Sequence, residues 1–153
     1  MSDLTLDTLV AERAIYRNLV QVARGMDARD WDGLLALMSA DVSADLGTGP
    51  LSGGAEIIGL LRSFLDACGP TQHLLGNVLI DVDGDTARSR AYVSDLHLGT
   101  GAHEGLSFST LGDYHDHWRR EAGEWKLCHR TKLNRGHLGS FSVLGPGPDH
   151  WQA

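Results

Sequence analysis

Apolar residues in the first part of the chain recur every three to four positions, which is the spacing of a helix with one buried face. This pattern predicts three helices, over residues 5–26, 31–38 and 55–68. The pair Gly69-Pro70 is a helix stop and ends the third of them. Between the second and third helices we expect a short strand over residues 41–46 and a glycine-rich loop over residues 47–54.

After Pro70 the period changes to the alternation that is typical of strands. Four long strands are predicted, over residues 73–82, 86–98, 106–120 and 125–133. Asp83-Gly84-Asp85 makes a hairpin turn between the first two. Helices followed by a meander indicate an α+β fold, and long strands joined by hairpins twist strongly. We therefore expect a cone-shaped α+β barrel, with the N-terminal helices packed on a strongly curved antiparallel sheet and a pocket between them.

The length of 153 residues favours one domain, predicted over residues 1–138, with an irregular tail over residues 139–153. The tail carries prolines and glycines together with apolar side chains. It is interpreted as a lid over the open end of the cone or as a contact with a neighbouring subunit, and the alternative is a frayed terminus. The apolar residues on which this depends are Leu138, Phe141, Val143, Leu144 and Trp151.

The net charge of −7 argues against a nucleic-acid or anionic-membrane partner, because a basic patch supplies the affinity for both. The N-terminal residues lack a signal-peptide pattern, and no apolar run approaches the roughly 20 residues of a spanning helix. We expect a cytoplasmic protein. Cys68 and Cys128 are far apart in the sequence and form no CxxC motif, which favours free thiols. A disulfide between the two is the alternative.

Two residues at element ends are candidates for acid–base chemistry. Asp27 falls at the end of the first helix, where the helix dipole opposes a carboxylate and tends to raise its pKa. His73 falls at the start of the first long strand. The alternatives are that Asp27 bonds only backbone groups of its own turn, and that His73 is a half-buried side chain bonded to a carbonyl.

Alternation along the next two strands places further polar residues on shared faces. One set contains Val93, Asp95 and His97, and the other contains Asp113, His115 and His117. The mixture of small, apolar and histidine side chains favours a pocket wall over a solvated surface. His115 and His117 could chelate a metal with Asp113 or His97, but the spacing is nonspecific and an acid–base site is favoured. No metal is predicted, and the absence of a GxGxxG or P-loop motif predicts no nucleotide cofactor.

Four motifs together resemble the SnoaL-like branch of the nuclear transport factor 2-like superfamily, over roughly residues 7–135. They are DARDW, TQHLLGN, DVDGDTA and GDYHDHWRREAGEWKL, beginning at residues 27, 71, 81 and 112. The pair Asp27 and His73 is similar to the Asp–His dyad of scytalone dehydratases and of hexachlorocyclohexane dehydrochlorinases, which catalyse eliminations without a cofactor.

The resemblance implies a role for each candidate residue. His73 is expected to be the general base, and Asp27 to accept a hydrogen bond from its other ring nitrogen. His97, with His115 or Tyr114, is expected to stabilise an enolate or to protonate a departing hydroxyl. Arg130 is a candidate for the arginine on the last strand of the dehydrochlorinases. The apolar wall that binds the substrate is assigned to Leu34, Leu61, Val93 and Phe108.

The function that follows is a cofactor-independent, dehydratase-like lyase acting on a small hydrophobic cyclic or polyketide-like substrate. An isomerase or polyketide cyclase that uses the same dyad is the first alternative, and a small-ligand-binding domain without turnover is the second. A homodimer or homotrimer, formed through the outer face of the sheet, is usual in families that this chain resembles.

Overall fold

Three helices and one six-stranded sheet make up the part of the chain that the computed structural model describes, residues 3–150. The helices are α1 (Leu6–Ala28), α2 (Trp31–Ala36) and α3 (Gly54–Leu65). The strands are β1 (Met38–Asp45), β2 (Pro50–Ser52), β3 (Thr71–Asp83), β4 (Thr86–Leu98), β5 (Ser107–Glu121) and β6 (Glu124–Gly139).

The strand order is β2-β1-β6-β5-β4-β3, and every neighbouring pair is antiparallel except β1 and β6, which run parallel. The predicted fold class, α+β with helices on a curved antiparallel sheet, is confirmed. The sheet is nevertheless open, because β2 and β3 occupy its two edges within the described residues. The parallel pair is a feature that the sequence pattern did not predict.

Helix α1 lies across the inner face of the sheet and begins at a capping box, in which Thr5 and Thr8 bond each other's backbone N–H groups. Its apolar stripe packs on the indole rings of β5 and β6, with Ile15 and Leu19 against Trp118 and Trp125. No helix within residues 3–150 is long and apolar enough to span a bilayer.

The C-terminal end of α1 is fixed to the start of β3. Arg29 ends the helix in the left-handed conformation, with φ of 57°. Its Nη1 donates to the carbonyl of Met26 and to Oγ1 of Thr71, and its Nη2 donates to the carbonyl of Gly69. These bonds hold the last turn of α1 beside the first residues of β3.

Some predicted boundaries are wrong for identifiable reasons. Helix α2 stops at Ala36, because Met38 already pairs with Leu127 of β6. The predicted loop over residues 47–54 contains strand β2. Strand β6 continues past Leu133 to Gly139, because its polar and glycine-rich end still pairs with β5. Cys68 and Cys128 are free thiols, as predicted.

Candidate active site

A cavity of about 320 Å³ lies between the inner face of the sheet, the end of α1, helix α3 and the C-terminal residues. The helices and the tail supply mainly apolar side chains, and the strands supply the polar ones. The principal apolar contributors are Met26, Leu46, Leu60, Leu61, Phe64, Leu65, Phe108, Phe141 and Leu144, and the principal polar ones are His73, Asp95, His97, Thr110, Tyr114, Lys132, Asn134 and His137.

Asp27 and His73 are joined by two hydrogen bonds. His73 Nδ1 lies 2.7 Å from Asp27 Oδ1, and the backbone N–H of His73 donates to Asp27 Oδ2 at 3.0 Å. Thr71 Oγ1 also donates to Asp27 Oδ1, at 3.0 Å. Because a carboxylate accepts, Nδ1 is the protonated ring nitrogen and Nε2 keeps its lone pair. Asp27 therefore bonds β3 and not its own turn.

The sequence-based expectation of a raised pKa at Asp27 is wrong in direction. Burial raises the pKa of this carboxyl, but the hydrogen bonds from His73 and Thr71 lower it by more, so the pKa lies below its ordinary value. Asp27 is consequently ionised near neutral pH, which is the state that orients the imidazole.

His97 lies on the inner face of β4, next to His73 of β3, and is 5 % exposed. The ring centroids are 5.5 Å apart with an interplanar angle of 86°. His97 Nδ1 donates to the carbonyl of Phe108 at 3.1 Å, which leaves Nε2 as an acceptor. Burial lowers the pKa of His97, and the nearby Asp95 carboxylate only partly offsets this. His97 is therefore a neutral acceptor near neutral pH.

A buried ionic network lies beside His97, and the sequence did not reveal it. Asp95 Oδ1 accepts the backbone N–H of Thr110 at 2.6 Å, and Asp95 Oδ2 accepts Thr110 Oγ1 at 2.7 Å and Lys132 Nζ at 2.8 Å. Burial raises the pKa of Asp95, but the charge and hydrogen bonds of its partners bring it below the ordinary value. The one available signal was that Asp95 shares a strand face with His97.

His115, which the sequence placed on the pocket wall, lies on the opposite side of the sheet. The even-numbered residues of β5, among them Phe108, Thr110 and Tyr114, are buried on the inner face. The odd-numbered His115 faces outward, with Nε2 3.2 Å from the Asp113 carboxylate. The predicted contribution of His115 to the substrate pocket is therefore wrong, and the proposed set of His115 with His97 is not brought together.

Of the other predicted wall residues, Leu61, Phe108 and Tyr114 line the cavity, as do His73 and His97. Leu34 and Val93 do not, because both are fully packed inside the core. Arg130 does not line it either. Its guanidinium is bonded to the Asp116 carboxylate and lies 3.8 Å from the centroid of the Tyr114 ring.

Among residues 3–150, one group of side chains meets the distance requirement for a metal site. The ligand atoms of His73, Asp95 and His97 lie within 4.8 Å of one another. The carboxylate of Asp95 already accepts three hydrogen bonds, one of them from the Lys132 ammonium, whose charge would repel a cation. The donor set therefore fits a metal ion poorly.

The C-terminal residues cover one side of the cavity. The ring of Phe141 lies 4.7 Å from Phe108 and 4.5 Å from His137, and the backbone N–H of Gly145 donates to the carbonyl of Phe64 at 2.8 Å. The ring of His150 bonds the carbonyl of Thr48. Apart from a short 3₁₀ turn, Phe141–Val143, residues 140–150 form no helix or strand. Trp151, which the lid hypothesis also invoked, lies outside the described residues.

Comparisons with known proteins agree with this architecture. Residues 7–131 match the model of the SnoaL-like domain, and the chain therefore belongs to the SnoaL-like family. No curated protein matches the sequence.

Three solved structures illustrate the fold that the chain shares with other proteins. A proposed aromatic ring hydroxylase from Novosphingobium aromaticivorans is 26% identical, with a TM-score of 0.76 over 85% of this chain and 93% of that one. A proposed scytalone dehydratase from the same species is 23% identical, with a TM-score of 0.79 over 95% and 97%. The hexachlorocyclohexane dehydrochlorinase LinA-type3 from Novosphingobium barchaimii is 19% identical, with a TM-score of 0.78 over 88% and 93%.

The free energy of unfolding is expected to fall as the pH is lowered from neutrality, in two steps. Burial keeps the folded-state pKa of His97 below its ordinary value of 6.5. The contribution of neutral His97 to the free energy of unfolding is therefore complete above pH 6.5 and is lost as the pH falls through the folded-state pKa. Asp27 and Asp95 have pKa values below 3.8, so their contributions are lost only in stronger acid. Urea unfolding across this range measures both steps. His97→Gln should reduce the first step and leave the second unchanged; a smaller part of the first step remains, because burial also lowers the pKa of His117. A wild type that gains stability on mild acidification would contradict the assignment.

Proposed function

We propose that this protein is a cofactor-independent lyase that eliminates water, or a comparable leaving group, from a small hydrophobic cyclic or polyketide-like substrate. The observation that carries the proposal is the Asp27–His73 pair, 2.7 Å apart, with the His73 ring on the wall of a largely apolar cavity. A paired carboxylate and imidazole of this kind is the arrangement of an oriented general base.

In the proposed reaction, His73 Nε2 removes a proton from the carbon next to a carbonyl group. The C–H electron pair forms an enolate, which then expels the hydroxyl on the next carbon as the enolate collapses. The imidazolium of His73, stabilised by Asp27, returns the same proton to the departing hydroxyl, so that water leaves and the base is regenerated. Atoms and charge balance without another acid.

This sequence of steps changes the role that was expected for His97. A neutral imidazole whose Nδ1–H is already donated to Phe108 has no proton left to give to a leaving group. His97 Nε2 is instead placed to accept a hydrogen bond from the substrate hydroxyl. It would hold the leaving group near His73, whose ring centroid is 5.5 Å away.

The size and lining of the cavity support the proposed class of substrate. Its volume of about 320 Å³ lies at the lower end of the range for small-molecule sites. The leucine and phenylalanine side chains of α3 and of the tail favour one or two fused rings over a charged metabolite. We further propose that the tail acts as a lid. Deleting residues 139–153 should then abolish turnover while the remaining chain stays folded, and unchanged turnover would contradict a lid.

A panel of cyclic β-hydroxy ketones, incubated with the protein and analysed by mass spectrometry, tests the proposal. Loss of water that depends on His73 supports a lyase. A product of unchanged mass that depends on His73 would indicate the isomerase or cyclase, which begin with the same proton abstraction. Binding without any chemical change would indicate a ligand-binding domain. Turnover that persists undiminished in both His73→Ala and Asp27→Asn would refute the mechanism.

The outer face of the sheet is proposed as the contact of a homodimer or homotrimer. Leu74, Leu96, Leu111, Leu133 and Leu138 are exposed there on neighbouring strands, and apolar patches of this kind commonly mark an interface. Leu111→Glu is expected to reduce the mass measured by light scattering to that of a monomer. Leu6→Glu, at an exposed position of α1, is the matched control. A wild type that is already monomeric would contradict the proposal.

A further inference from the structure

We propose that Lys132 is a substrate-binding group, whose ammonium donates a hydrogen bond to the carbonyl oxygen of the substrate and more strongly to the enolate oxygen that forms from it. This inference rests on the proposed function and adds the group that receives the developing negative charge. It also restricts the substrate to molecules whose acidic C–H lies next to a carbonyl group.

Lys132 reaches the cavity because a neighbouring position has no side chain. Lys132 lies on β6 opposite Tyr114 of β5, and Gly112 lies two residues from Tyr114 on the same inner face. A Cβ atom at Gly112 would stand 2.8 Å from Lys132 Cε and 2.5 Å from Val93 Cγ1. The missing side chain leaves the gap through which Lys132 crosses β5 to bond Asp95 on β4.

The partners of Lys132 hold its ammonium without using all its donors. An ammonium has three N–H donors. Two of them are accounted for by Asp95 Oδ2 at 2.8 Å and Thr110 Oγ1 at 3.0 Å. The described residues supply no third hydrogen-bond partner, and Lys132 is part of the cavity wall. One donor is therefore available to a ligand.

The position of this donor suits an enolate that forms at His73. Asp95 and His97 are alternate residues on the inner face of β4, with His97 Nδ1 3.9 Å from Asp95 Oδ1. Lys132 is bonded to the same carboxylate, which has an oxygen within 4.8 Å of a ring nitrogen of each histidine, and all these residues line the same cavity. A substrate with its acidic carbon at His73 and its hydroxyl at His97 can direct its carbonyl oxygen to Lys132.

Energetic considerations favour this role over a purely structural one. The exposed fraction of the side chain is 1% for Asp95 and 15% for Lys132, so the ion pair is buried. A buried ion pair often stabilises a fold no more than apolar residues of the same volume would. A fixed donor aimed at a developing oxyanion in such a site typically contributes roughly 10²–10³ in kcat. The pair therefore has more to contribute to binding an oxyanion than to folding.

Para-nitrophenol is a suitable probe, since its phenolate resembles a planar conjugated enolate and absorbs differently from the neutral phenol. At a fixed pH where both forms of the free probe are present, the bound probe is expected to be enriched in phenolate by about tenfold. Lys132→Met should abolish the enrichment. The chain has one other lysine, Lys126, which bonds the carbonyl of Ala36 away from the cavity, and Lys126→Met should leave the enrichment unchanged.

Lys132→Met leaves Asp95 buried without its partner and could unfold the protein. The double variant Asp95→Asn with Lys132→Met removes both charges at similar volume, and it should fold and show no enrichment. Enrichment that survives in either variant overturns the inference. Equal binding of phenol and phenolate by the wild type, or no binding of the phenolate, overturns it as well.

The probe separates this inference from the proposed function. The enrichment is expected to persist in His73→Gln, because that variant removes the base and leaves Lys132 in place. If no substrate is turned over but the enrichment depends on Lys132, the elimination is wrong and the oxyanion site stands. If turnover depends on His73 but Lys132→Met retains both kcat and the enrichment, the elimination stands and the role of Lys132 is wrong.

Discussion

Replacing Arg130 with methionine is expected to lower the free energy of unfolding by about 3–5 kcal/mol, because it leaves a buried carboxylate without its partner. Arg130 Nε lies 2.8 Å from Asp116 Oδ1, and its Nη2 lies 2.7 Å from Asp116 Oδ2. The Asp116 side chain has no solvent exposure, so water cannot replace the lost bonds. Urea denaturation at neutral pH measures the change.

The matched control is the double variant Asp116→Leu with Arg130→Met, which removes both charges. Its stability should be close to that of the wild type or above it, because a buried ion pair can be replaced by apolar groups of similar volume. Arg62→Met removes the solvent-exposed pair with Asp66 and should have little effect. If Arg130→Met and Arg62→Met lowered the free energy of unfolding by the same small amount, the prediction that breaking a buried ion pair costs far more than breaking an exposed one would be wrong.

The elements with a long and regular hydrophobic period could be predicted from the sequence. Strand β4 was expected over residues 86–98 and spans Thr86–Leu98, because its side chains alternate strictly between buried and exposed. Helix α1 was expected to begin at residue 5 and begins at Leu6. The parallel pairing of β1 with β6 was not predictable, because a pairing between distant segments leaves no local pattern.

The face of β5 that carries His115 was misassigned, although the hydrophobic pattern of the strand points the right way. Tyr114 and Trp118 are buried on the inner face, whereas His115 lies on the opposite face. His115 was placed in the pocket because convergent histidines on neighbouring strands were interpreted as a pocket wall. Within the described residues, the Asp116 carboxylate is hydrogen-bonded by Arg130, a partner fourteen residues away.

Lys132 was missed for a related reason. A lysine on a strand is normally interpreted as solvent-exposed. Its burial depends on the absence of a side chain at Gly112, on a different strand, and on a carboxylate on a third strand. Asp27 and His73 were identified through the resemblance to known enzymes, while the supporting bond from Thr71 became visible only in the structure.

His73→Ala is expected to lower kcat/KM for the best substrate of the panel by roughly 10²–10⁴-fold, which is the usual contribution of a positioned general base. Asp27 contacts His73 and does not line the cavity, so the role proposed for it is to position the imidazole. Asp27→Asn should lower kcat more than it raises KM, because it removes stabilisation of an imidazolium that exists only during the reaction.

The double variant Asp27→Asn with His73→Ala distinguishes a positioning role from an independent one. If Asp27 acts only through His73, the double variant should be no slower than His73→Ala alone, since removal of the base makes its orientation irrelevant. Thr71→Val is the matched control, because it removes one neutral hydrogen bond to Asp27 and leaves both members of the pair. Its loss should be less than tenfold. Additive losses in the double variant would mean that Asp27 contributes to turnover by a route other than the imidazole, and the proposed pair would have to be abandoned.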